Sequence, residues 1–294
     1  MNESKTITEQ FPPLPLEYIT TTIRFFNKLS LKEKQDFIKE VVKVHPFLNI
    51  NFSSNKIFRR ARRISEDYFA DRIQDLLWRE NVPASPGRAN PEGYSVLYVA
   101  DRPETALIET GSQDDFVLIS ELKIRNDLNC RVMPIGELMR LQRVGRGMLT
   151  GDVSAEILKI INACNPDEMK SVLIADAFLF ECLIKDDDNY LVSSFVAKSI
   201  FAKNNNIAAV VYPSVKQYGA VNFAIRTENF WDAWSIVGAR RLHAKHLAYG
   251  YYDLSQAQHV TEITSEGKLV WGHEITEGNV GMVLDPPWHP LRKD

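Results

Sequence analysis

SPGRANPEGYSVLYVADRPETALIET, residues 85–110, decides how this chain is read. Gly87-Arg88-Ala89-Asn90-Pro91-Glu92-Gly93 is a tight loop, because two glycines and an Asn-Pro step interrupt any regular element, and it presents one arginine. Residues 95–100 follow as a strand of β-branched and aromatic side chains carrying Tyr98. Pro103 suits the first turn of a helix that Gly111 stops, and within it Thr105 and Glu109, four apart, share one face. Singly, each residue has a plain structural reading: Arg88 a surface charge, Tyr98 a half-buried strand aromatic, Glu109 a solvated helix residue. Together they place a guanidinium, a phenol and a carboxylate on three consecutive elements.

Outward from this stretch the pattern is mixed. KIFRR, DFVLISELKI, IAAVVYP and VNFAI read as further strands, and residues 135–144, 153–164, 168–185 and 190–204 as helices. The order is not a regular β-α-β alternation, which predicts an α+β architecture rather than a doubly wound parallel sheet. The tail from Trp231 predicts more strands, KLVWGHE following a Ser-Glu-Gly turn. The first 50 residues are helical. Leu16, Ile19, Ile23 and Phe26 form one apolar stripe, and Ser30 with Glu33 fits a capping box. The helix it opens runs to about His45 with Phe37, Val41 and Val44 on one face, and Pro46 ends it. NINFSSN, residues 49–55, reads as a polar, turn-rich hinge. Exposed, such a stripe would aggregate, so the main domain, a partner protein or a second copy of the chain must cover it; the expectation is a homodimer in which this segment supplies part of the interface.

Composition excludes several classes. The 294 residues are 45% hydrophobic and 25% charged, which rules out a disordered or low-complexity chain. A net charge of -3 gives no overall positive field for a polyanion. No basic region precedes an apolar core at the N-terminus, and no apolar run approaches the roughly 18 to 20 residues of a membrane span, so the expectation is a cytoplasmic protein with no membrane partner. Cys130, Cys164 and Cys182 read as small buried residues in a reducing compartment. GRGMLTG, residues 145–151, follows a helical stretch and lacks both a dinucleotide fingerprint and the Lys-Ser/Thr of a P-loop. His243 and His246 have no further His or Cys cluster to complete a zinc set, and no metal is expected. Arg59, Arg60, Arg62 and Arg63 form a run that, in an acidic protein, points to phosphate contacts.

With these residues in view, the chain resembles the RES-domain proteins, toxin components of bacterial toxin–antitoxin pairs. The family's pattern appears as Phe58 with Arg59 or Arg60, the Gly87-Arg88-Ala89-Asn90-Pro91-Glu92-Gly93 loop, and Leu97-Tyr98. It continues with Thr105-Ala106-Leu107-Ile108-Glu109, then Tyr190 followed by Ser193, Ser194 and Ala197, then Tyr212-Pro213-Ser214. Asn222-Phe223-Ala224 looks like the closing strand. The resemblance covers residues 56–226; it divides the chain into an N-terminal helical segment (1–50), a RES domain (56–226) and a C-terminal extension packing on it (227–294). Ala89 stands where an aromatic is more usual, and residues 132–171 are longer than a minimal member needs.

The resemblance implies an ADP-ribosyltransferase-like mixed β core with flanking helices and a cleft that takes NAD as substrate. It implies cleavage of the nicotinamide–ribose bond by hydrolysis or phosphorolysis, with a cognate antitoxin as partner; transfer of ADP-ribose to a protein from the same cleft is the alternative. That cleavage passes through an oxocarbenium-like state, and nicotinamide leaves as a neutral amide, so one carboxylate suffices: Glu109. Arg88 and one of Arg59 or Arg60 suit the pyrophosphate, Tyr98 the nicotinamide or its ribose, and Ser214 with Ser193 or Ser194 a phosphate or ribose. A catalytically silent nucleic-acid module built on the arginine run is the reading from another class; the net charge and Glu109 count against it.

Overall fold

Ser30 and Glu33 do what their spacing requires. In a computed structural model, the Ser30 hydroxyl accepts from the Glu33 amide at 3.4 Å while the Glu33 carboxylate accepts from the Ser30 amide at 2.8 Å, closing the start of a helix. The structure describes residues 5–78, 84–91, 93–185, 190–275 and 288–290; Glu92 of the glycine loop lies outside them. The strands are β1 (Ile50–Phe52), β2 (Phe58–Ile64), β3 (Val96–Ala100), β4 (Asp114–Ile124) and β5 (Cys130–Pro134). They continue as β6 (Ala209–Pro213), β7 (Val221–Arg226), β8 (Trp234–Ala248), β9 (Tyr251–Ile263) and β10 (Leu269–Ile275). The helices are α1 (Ile7–Gln10), α2 (Leu16–Phe25), α3 (Leu31–Val44), α4 (Ile73–Leu76) and α5 (Pro103–Thr110). After them come α6 (Glu137–Val144), α7 (Ser154–Asn162), α8 (Pro166–Ile184), α9 (Ser193–Lys203) and α10 (Phe230–Ala233). This is the α+β class expected. The chain forms two compact units: Met1–Ile50 with Ala84–Tyr94 and Arg131–Tyr212, and Asn51–Pro83 with Ser95–Cys130 and Pro213–Asp294.

The first unit is mainly helical. The apolar stripe of α2 and α3 is covered by α8 and α9 of the same unit: Ile19, Phe26, Phe37 and Val41 are buried, and the Phe178 ring of α8 lies 4.9 Å from Phe26 and 5.2 Å from Phe37. Each such side chain contributes about 1.5–3 kcal/mol on leaving water. The stripe is thus covered within its own unit and gives no ground by itself for a second subunit. Residues 49–55 are not turn alone either, since β1 lies among them, and β5 was not read as a strand at all. β5 pairs in parallel with β6, Val132 opposite Ala209.

GRGMLTG proves to be an anion nest filled from within. The backbone amides of Met148, Leu149 and Thr150 and the Thr150 hydroxyl donate to the Glu137 carboxylate at 2.8–3.0 Å. Glu137 is 1% exposed, and a Cβ at Gly147 would stand 2.2 Å from its Oε1, so only glycine fits there.

In the second unit seven strands form an antiparallel sheet in the order β7-β3-β2-β4-β8-β9-β10. One face buries an aromatic core, Phe58 lying 5.0 Å from Phe223 and 5.2 Å from Trp234. On the other face α5 packs through Ala106 and Leu107 on Ala61, Ala100, Val117 and Ile119. The sheet opens between β2 and β3. They share one paired position, Arg59 opposite Ala100; beyond it β2 pairs with β4 and β3 with β7. Gly267 closes the β9–β10 turn at φ +77°, as the Ser-Glu-Gly signal required. All three cysteines are buried, and none is in a disulfide. No described helix is long and apolar enough to cross a membrane.

Candidate active site

Glu109 is placed by the geometry of a short helix. Pro103 begins α5, and Gly111, at φ +71°, ends it with its amide on Ile108 O at 3.1 Å. The same face of the helix is tied down four residues earlier, where the buried Thr105 hydroxyl donates to Gln217 Oε1 at 2.8 Å. Ser214 Oγ and Asn222 Nδ2 both donate to Glu109 Oε1, at 2.7 and 2.8 Å. Ser214 Oγ in turn accepts from the amides of Lys216 and Gln217, which fixes the direction of its own proton. Lys216 Nζ donates to the Ile108 and Glu109 carbonyls, each at 3.3 Å, as a cation at the helix C-terminus should. One carboxylate oxygen is thus pinned by two donors; Oε2 has no hydrogen bond among the described residues.

The supporting strand is locked at the same point. Asp101, just past β3, exchanges hydrogen bonds with Val221: its amide donates to the Val221 carbonyl, and its Oδ1 accepts from the Val221 amide at 3.1 Å. Burial raises the Asp101 carboxyl above the usual range, and the Val221 amide offsets part of that. Register then sorts the candidates by face. Tyr98 is opposite Ala224, Ala100 opposite Asn222, and Arg59 opposite Ala100, so Tyr98, Asn222 and Arg59 share one face of the sheet. Arg60 points to the other.

The two arginines have opposite surroundings. Arg59 is committed: its Nη1 donates to Ile57 O at 2.7 Å, and its Nε lies 3.5 Å from Glu121 Oε1. Glu121, 3% exposed, also takes Arg240 Nη2 at 2.9 Å. Burial lowers the Arg59 guanidinium despite Glu121, and the charge of Arg240 adds to the fall. Arg60 has neither hydrogen bond nor ion pair among the described residues. Burial, with Arg62 beside it as a like charge, pushes it down to about 10, so it stays cationic at neutral pH and without a counter-ion.

The remaining expected residues lie in the first unit. Arg88 Nη1 donates to the Leu183 and Lys185 carbonyls at 3.0 and 3.3 Å and to the Ile184 carbonyl, capping the end of α8 rather than presenting a bare guanidinium. The loop holding it closes by reciprocal Gly87–Asn90 backbone bonds, with Asn90 Nδ2 on Ser85 O at 2.9 Å and Ala89 fully buried. Ser193 and Ser194 open α9, both buried. Sequence reasoning gave no role to Asn222, Gln217 or Glu121. The signal for Asn222 was there: a lone amide in VNFAIR, where an apolar residue would otherwise pack. No three His, Cys, Asp or Glu among the described residues stand together as a metal set.

A family model, the RES domain, matches residues 57–245, well over half of the chain. No curated protein and no solved structure matches it.

Proposed function

Because the chain belongs to the RES-domain family, whose members use NAD in the setting of toxin–antitoxin pairs, we propose that it cleaves the nicotinamide–ribose bond of NAD. The observation that carries this reading is Glu109, one oxygen anchored by Ser214 and Asn222 and the other left for a ligand. The bond breaks with its electron pair passing to the nicotinamide nitrogen, which cancels the pyridinium charge. Positive charge grows at C1′ and the ring oxygen, and a fixed carboxylate lowers the energy of that state more than of the ground state. An oxygen of water or phosphate then forms the new bond to C1′, and water releases a proton.

In this reading Ser214 and Asn222 position the carboxylate and do not touch the ligand. Of the adjacent pair, Arg59 is the better pyrophosphate partner, since it lies on the face of the sheet that carries Tyr98 and Asn222, held there by Glu121 and Ile57, whereas Arg60 points to the opposite face. Tyr98 packs against the nicotinamide or its ribose. Arg88, Ser193 and Ser194 are assigned to NAD on family resemblance. Growth arrest and restraint by an antitoxin belong to the same proposal. Proton NMR of NAD incubated with the purified protein, with and without phosphate, is the test. Nicotinamide plus ADP-ribose means hydrolysis, and a phosphate-dependent ADP-ribose phosphate means phosphorolysis. Label from NAD retained on protein in a lysate would move the reading to ADP-ribosyl transfer; intact NAD in both assays would end it.

A further inference from the structure

The first unit contains a cavity of about 300 Å³ that the proposed chemistry does not use. Its walls are the aliphatic side chains of Ile7, Leu138, Ile157, Ile161 and Met169, a satellite core that stops short of filling its own centre. Two polar groups interrupt them. Lys203, at the last position of α9, donates from Nζ to Val42 O at 2.9 Å and to His45 O at 2.7 Å, while Phe47 lies under the ammonium at 5.1 Å. An ammonium has three protons, so one remains, and no carboxylate pairs with Lys203 among the described residues. Burial alone lowers its pKa, as for a cation without a counter-ion. His45 also lines the cavity, 2% exposed, its Nε2 turned to the buried Asp176 carboxylate at 3.5 Å.

A cation at the edge of an apolar cavity is complementary to an anion with an apolar body. We propose that this cavity binds a medium-chain carboxylate, its head group on Lys203 Nζ and its alkyl chain among Ile157, Ile161 and Met169. At about 30 Å³ for each non-hydrogen atom, a water's share of the liquid, the space holds roughly ten such atoms. Octanoate has that size. The assignment does not depend on NAD cleavage, because binding is read without turnover.

The test is calorimetric titration of the full chain with octanoate and with octanol, its neutral counterpart, alongside thermal melts. Saturable octanoate binding at least tenfold tighter than octanol is expected. Lys203→Met should erase that preference while keeping octanol binding. Since Lys203 also caps α3, Ile161→Trp, which fills the chamber and leaves the charge, is the second variant and should abolish both ligands. No saturation by millimolar octanoate overturns the proposal, as does equal affinity for octanol or undiminished octanoate binding by either variant.

Discussion

Glu109→Gln separates charge from position. The amide keeps a carbonyl oxygen where Oε1 now accepts from Ser214 and Asn222, so the side chain should hold its place. The NH2 then falls at Oε2, and the negative charge is gone. A unit charge about 4 Å from a developing cation, at an effective dielectric constant near 20, is worth about 4 kcal/mol, or roughly 10³ in rate. Screening by solvent in this half-exposed site brings the expected loss to about 10²–10³, the range seen when one electrostatic stabiliser is removed. The assay is NAD loss by NMR at saturating NAD, with a melt on the same sample. kcat should fall that far while Tm stays within about 2 °C. Glu109→Ala should lose stability as well, about 1–3 kcal/mol, because Ser214 and Asn222 are left without an acceptor. A Gln variant turning over NAD within threefold of the parent would refute the reasoning.

The arginine pair should divide by assay: Arg59→Gln raises KM for NAD about tenfold or more and lowers Tm by leaving Glu121 a poorer partner, whereas Arg60→Gln, on the opposite face, leaves KM within about threefold, as paired kinetics and melts would register. Glu137→Gln turns one acceptor oxygen into a donor facing the Met148 amide, at a cost of about 2–4 kcal/mol in urea unfolding, and Gly147→Ala should cost less in a Glu137→Ala background than alone. Burial, then Arg240, holds His259 below its ordinary value of 6.5, with Glu121 opposing. The unfolded chain therefore binds this proton first, so stability present above pH 6.5 is lost as pH falls toward the lower folded value; urea titrations of His259→Gln should show a flatter pH profile.

What could be read in the sequence was local. The Ser30–Glu33 box, the Gly111 stop and the Gly267 turn each depend on a few neighbouring residues, and each is found where the pattern placed it. β5 escaped because Cys-Arg-Val-Met-Pro has no alternation, its partner β6 lying some 77 positions away. Glu109 was legible from the T-A-x-x-E helix, but its anchors were not: Asn222 and Ser214 meet it only through strand order. Arg59 and Arg60 look alike in sequence and differ because alternation turns one toward Glu121 and the other away. The GRGMLTG loop lacks the pattern of a phosphate loop, yet its amides do converge on an anion, supplied by a glutamate eight residues upstream of the loop's start.

The distance along the chain between Glu109 and its anchors sets a clock on biosynthesis. Ser214 lies 105 residues downstream and Asn222 113. At about 5–20 residues per second, a ribosome needs roughly 6–23 s after making Glu109 before both anchors exist. A nascent chain carries the carboxylate but no means of aiming it, and a chain that stops before Asn222 has Glu109 without both of its anchors. On the proposed reading, NAD cleavage has to wait until the chain has been made past Asn222.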